Sequence, residues 1–139
     1  MGIQQIRSDL IDVLTPLVAA GGEASPYPPD AANVLPSIWL ADATCRVTTS
    51  MSDRVFDWTL PLTAAVARKA VYAEERAAVT TLMESILAAI DADFTLGGTT
   101  YGVRATEIRE GAILLGGESL VGFTIFFSVK QKPATAITG

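Results

Sequence analysis

The chain has 139 residues, no histidine, a single cysteine and a net charge of −5, and these facts exclude several chemistries. Without histidine there is no Ser-His-Asp or Cys-His triad, no His-ligated zinc and no ordinary proton shuttle near neutrality. Cys45 alone provides neither an intrachain disulfide nor a cysteine-based zinc site, and the acidic balance argues against gripping nucleic acid along a basic face.

Half the residues are hydrophobic and 18% are charged, which predicts one ordered domain rather than a disordered chain. The apolar runs are short and interrupted, so none is expected to span a membrane. Asp9 and Asp12 interrupt the first apolar pattern, unlike the core of a signal peptide. A soluble, cytosolic chain is the expectation.

Ile3, Ile6, Leu10, Val13, Leu14 and Leu17 fit a first helix, and Pro16 predicts that regular helix ends near Leu14 or kinks there. Residues 21–36 are rich in glycine and proline and read as a long surface loop, functional or a plain connector. Ser37–Ala41 and Ala43–Met51 read as strands. Residues 50–53 supply a turn, so the second of these strands should form a hairpin with the next, its tip near Met51, Ser52 and Asp53.

Phe56, Trp58, Leu60, Leu62, Ala64 and Val66 then alternate with Asp57, Thr59, Pro61 and Thr63, the pattern of a strand with one buried face. Pro61 cannot donate a ladder hydrogen bond, which predicts an edge position or a bulge. Val79, Leu82, Met83, Ile86, Leu87 and Ile90 recur at helical spacing in a second helix that starts between Val71 and Glu74 and ends near Asp91. Glu74 and Glu75 fall in its first turn, where the dipole favours negative charge.

A compact turn over 91–98 follows. Tyr101–Arg109 reads as a strand, Gly111 and Gly116-Gly117 as bends around a short segment Ile113–Leu115. Val121, Phe123, Ile125, Phe127 and Val129 alternate in a last strand. The pattern stops at Gln131, and residues 133–139 are expected to be a flexible tail. The order α-β-β-β-α-β-β predicts an α+β domain over 1–132. Its sheet should be antiparallel or mixed, with four to five strands and both helices on one face.

The candidate catalytic patterns fail one by one. Gly117-Glu118-Ser119-Leu120-Val121 starts like a nucleophile elbow but has Val121 where the second glycine belongs, and no histidine exists to activate Ser119; a hairpin turn is the better reading. Asp91 and Asp93 sit at a helix C-terminus, where the dipole disfavours carboxylates. With no further ligand nearby in sequence, they read as solvated helix-end residues rather than a metal site. Gly97-Gly98 and Gly116-Gly117 lack the following Lys-Ser/Thr of a phosphate loop. Trp39 and Trp58 read as packing residues. Arg68, Lys69 and Arg76 form a basic patch that Glu74 and Glu75 neutralise. No catalytic residue, cofactor or metal is expected.

Taken in succession, the Pro-rich segment, the short strand, the hairpin arm DWTLPLTAAVAR, the helix EERAAVTTLMESILAAI, the turn DFTLGG (Asp93–Gly98) and the aromatic strand GFTIFFSVKQ carry a likeness. From Ile3 to about Lys132 the chain resembles the tail terminator proteins of long-tailed phages, and DFTLGG is its sharpest piece. The resemblance implies an α+β subunit that assembles into a hexameric ring on the head-proximal end of the tail tube. Such a ring ends tube polymerisation and joins the tail to the head. Its implied partners are other copies of the chain, the tail tube protein and a head–tail connector or stopper protein. DNA passes through the lumen without specific binding, and no membrane is involved. The chain would be made in the host cytoplasm and reside in the virion. Met51, Ser52, Asp53 and Arg54 at the hairpin tip, with Pro133 and Ala134 in the tail, are the expected assembly contacts. The alternatives are a head-completion or connector protein of the same neck, and a monomeric α+β domain that binds a ligand on its open sheet face.

Overall fold

A computed structural model describes residues 3–18, 21–30, 34–50, 53–68, 73–97 and 100–131. Helix α1 (Ile3–Leu14) buries Ile6, Leu10, Ile11 and Leu14 along one stripe. Regular helix ends at Leu14, and a 3₁₀ turn (Thr15–Val18) carries the chain around Pro16, where an α-helix would lack a donor. The Pro-rich segment is more than a loop. It contains β1 (Glu23–Ser25), which pairs in parallel with β2 (Ser37–Leu40). Three residues are too few to show a period in sequence.

Strands β3 (Thr44–Ser50) and β4 (Asp53–Ala67) form the expected antiparallel hairpin, Ser50 opposite Asp53. Helix α2 (Ala73–Ala92) follows, then β5 (Thr100–Leu115) and β6 (Glu118–Gln131). The order across the sheet is β1-β2-β4-β6-β5, with β3 also on β4. The fold is α+β as expected. Among the described residues the sheet has six strands rather than four or five, and the parallel β1–β2 pair makes it mixed.

Both helices pack on one face. Ile6, Leu10 and Leu14 of α1 and Val79, Leu82, Ile86 and Ile90 of α2 share a core cluster with Leu60, Leu62, Phe123, Ile125 and Phe127 of the two central strands. The opposite face carries a smaller cluster of Trp39, Ala65 and Leu120.

Pro61 does not place β4 at an edge. Strand β4 is central, with β6 along one side and β2 and β3 in line along the other. The Pro61 carbonyl accepts from the Ala41 N–H at 2.9 Å, so its missing donor points to that same side. There it faces the break between Leu40 and Thr44, where no ladder partner waits. A proline is tolerated mid-sheet because its edge is split at that point.

Strand β5 also differs from the sequence reading. It runs unbroken for 16 residues, without the bend expected at Gly111. An irregularity between Ala105 and Glu107 adds one residue and changes which positions face the helices, from Val103 and Ala105 to Ile108 and Glu110. A shift of phase looks in sequence like the end of a strand. Gly116 and Gly117 join β5 to β6 with φ of 60° and 77°, the two-residue hairpin turn that matches strand twist. Gly122 is required for another reason. A Cβ there would lie 1.8 Å from the Ala64 carbonyl oxygen, so β4 and β6 meet too closely for any side chain.

Candidate assembly surfaces

Three surfaces of the sheet are open among the described residues. The first is the upper half of β5. The partners of buried Ile125 and Phe123 on β5 are Ile108 and Glu110, and both are exposed. Leu114, near the Gly116-Gly117 turn, is 79% exposed and Ile108 is 39% exposed. Between this arm and the start of α2 lies a cleft of about 600 Å³, with Val79, Ala112 and Val121 lining it beside Arg68, Arg76 and Glu110. Arg68 pairs with Glu118 across its mouth.

The second surface is the β3–β4 hairpin, where Val47 is 54% exposed. Of the tip residues expected to make contacts, Arg54 is exposed opposite Thr49, and Asp53 begins β4 opposite Ser50. Met51, Ser52, Pro133 and Ala134 lie outside the described residues.

The third is the part of the face opposite the helices that lies away from the Trp39, Ala65 and Leu120 cluster. Thr44, Arg46, Asp57, Thr59, Thr106 and Ser128 line a shallow hollow of about 320 Å³. Ser128 Oγ donates to Asp57 Oδ1 at 2.9 Å, and the Thr63 and Thr124 hydroxyls are 3.4 Å apart. Arg109 stacks 5.3 Å from the Phe126 ring centroid while pairing with Glu107. This is a hydroxyl-rich surface with balanced charges, suited to wet contact. Cys45 lies on the other face of β3, and its thiol pKa is raised by burial and then by the charge of Asp57.

The described part of the DFTLGG stretch, Asp93 to Gly97, is a turn held from within. Asp93 Oδ1 accepts from the Gly97 N–H at 2.9 Å, and the Leu96 N–H donates to the Asp93 carbonyl at 3.0 Å. Leu96 adopts φ of 51° while only 4% exposed, so the turn folds an apolar anchor back into the core. The Phe94 carbonyl accepts from the Val103 N–H at 2.7 Å, which clamps the start of β5. Asp93 is thus a turn-builder, and Asp91 is an exposed residue of the last turn of α2. Among the described residues no group of three or more acidic or cysteine side chains is placed to hold a metal ion. No helix there is long and apolar enough to cross a membrane.

Arg7 was not singled out in sequence, yet it is a buried charge. Its guanidinium donates to the carbonyls of Pro26 at 3.0 Å, Ala41 at 2.9 Å and Leu40 at 3.5 Å, and stacks on Tyr27. It ties α1 to the Pro-rich segment and to the end of β2. The available signal was its place beside Ile6 and three residues before Leu10, on the apolar stripe. No protein-family model matches the chain. No curated protein matches it either.

Proposed function

We propose that the chain is a structural ring subunit of a long-tailed phage virion, a tail terminator that caps the head-proximal end of the tail tube and joins it to the head. The observation that supports the ring is the pair of sheet edges left open among the described residues, above all the β5 arm with its largely exposed Leu114. Exposed apolar residues beside an open strand edge are a favourable surface for association. The terminator identity rests on the family likeness, whose sharpest piece, DFTLGG, is a self-bonded turn clamping α2 to β5. The partners under this proposal are further copies of the chain, six to a ring, the tail tube protein and a connector or stopper protein. No catalysis and no cofactor are assigned.

A net charge of −5 per subunit suits a channel through which DNA slides without adhering. The test is loss of the gene in the phage, followed by electron microscopy of the particles. Over-long tubes without heads are the expected result. Tails of normal length that merely lack heads would assign the chain to the connector position instead. Complementation with the intact gene should restore uniform, headed tails.

A further inference from the structure

We infer that copies of this chain join head to tail through their sheets, β3 of one copy pairing antiparallel with the upper half of β5 of the next. Strand direction permits it. Each of the pairs β3–β4, β4–β6 and β6–β5 is antiparallel, so β3 and β5 run in opposite senses at opposite edges. A neighbour placed beside β5 in the same orientation presents its β3 antiparallel, with the helices of both copies on one face.

The lower end of β5 is already occupied, because the Val103 N–H is bonded to the Phe94 carbonyl. Among the described residues the open stretch therefore runs from Ala105 to Leu115, long enough for the seven residues of β3. The two most exposed large hydrophobic side chains among the described residues are Leu114 and Val47. Both project from the helix-bearing face, since Val47 is opposite Phe56 and Leu114 is in phase with Ile108, opposite core Ile125. Setting Val47 opposite Ala112 places Cys45 opposite Leu114, Thr49 opposite Glu110 and Arg46 opposite Ile113. No like charges face each other in this register, and cross-strand apolar pairs of this kind stabilise a sheet.

The two-fold alternatives fit less well. A β5–β5 join over the open stretch centres on Glu110 and sets it against its own copy. A β3–β3 join leaves Leu114 bare. The head-to-tail join uses both edges and generates either a closed ring or an open filament.

Leu114→Cys protein, oxidised with copper phenanthroline at alkaline pH, tests this directly. Within one chain β3 and β5 are three strand spacings apart, ~14 Å, beyond the ~7 Å that a disulfide can bridge. A bond between Cys45 and the new thiol is therefore intermolecular. The expected result is a non-reducing ladder of dimers, trimers and larger species that vanishes when Cys45→Ser is added. No ladder at the highest soluble concentration overturns the join. So does cross-linking that stops at dimers, that survives Cys45→Ser, or that occurs in the wild-type chain through Cys45 alone. A ring by light scattering without the ladder would remove this join and leave the ring reading standing. A ladder in a chain whose loss does not alter tail assembly would do the reverse.

Discussion

Strands β5 and β6 are hairpin partners of similar length, yet they live in different environments. On β6, Phe123, Ile125, Phe127 and Val129 are all fully buried. One strand away on the same face, their partners Glu110 and Ile108 are exposed, Ala105 is half-buried and only Val103 is buried. The helices end over β6 and the lower part of β5, so burial changes within a single strand spacing. Alternation therefore tells which face a residue takes, while cover decides what that face is worth.

Substitutions on the two sides of this boundary should separate sharply. Phe127→Ala should cost ~3–5 kcal/mol in urea unfolding, as large core truncations do. Leu114→Ala should stay within ~0.5 kcal/mol in the free subunit, as exposed sites do; a comparable loss at both would erase the boundary. The rung formed by Gly111 and Gly122 gives a second contrast. Gly122→Ala drives a methyl into the Ala64 carbonyl and should cost about 3 kcal/mol, the upper range of overpacking. At Gly111 a Cβ meets open space but φ is 151°, so Gly111→Ala should cost only about 1 kcal/mol of backbone strain.

Charge should follow the same rule. Arg7→Met leaves the Pro26 and Ala41 carbonyls without their donor and should lower stability by about 2 kcal/mol, within the range for hydrogen bonds to charged groups. Arg109→Met removes only an exposed pair with Glu107 and should lie within ~0.5 kcal/mol; both are read by thermal melts. The smallest effect is expected at the partly covered Cys45. Burial, the larger cause, and Asp57 both raise its pKa. Asp57→Asn should lower that pKa modestly, so the thiol alkylates faster at a fixed mildly alkaline pH. An unchanged rate of reaction with iodoacetamide would show that burial alone sets it.

Much of this architecture was legible in the residues. Both helices announced themselves by apolar stripes, and β4 and β6 by clean period-two alternation. What escaped had physical reasons. Strand β1 is too short to show a period, and β5 hid its continuity behind an inserted residue and a glycine. Pro61 pointed to an edge or a bulge because sequence cannot show that the facing edge is split between two strands. Arg7 drew no notice in sequence because the carbonyls that hold it come from distant segments. For the candidate assembly surfaces, apolar character at Val47 and Leu114 was readable. Their exposure was not, because it depends on where α1 and α2 happen to stop.

The two-glycine turn at Gly116-Gly117 also sets a schedule for folding. It closes β5 onto β6 through near-neighbour contacts, a pairing of the kind that forms in roughly 1–10 μs. Strand β4 must instead find β6 across the whole of α2, a longer loop with a greater closure cost. The arm should therefore be an early, self-contained ribbon, and the β4–β6 seam the late step that commits the core. In pulsed hydrogen exchange during refolding, amides of β5 facing β6 should gain protection before those of β4 facing β6. Simultaneous protection of both would place the seam, not the turn, at the start.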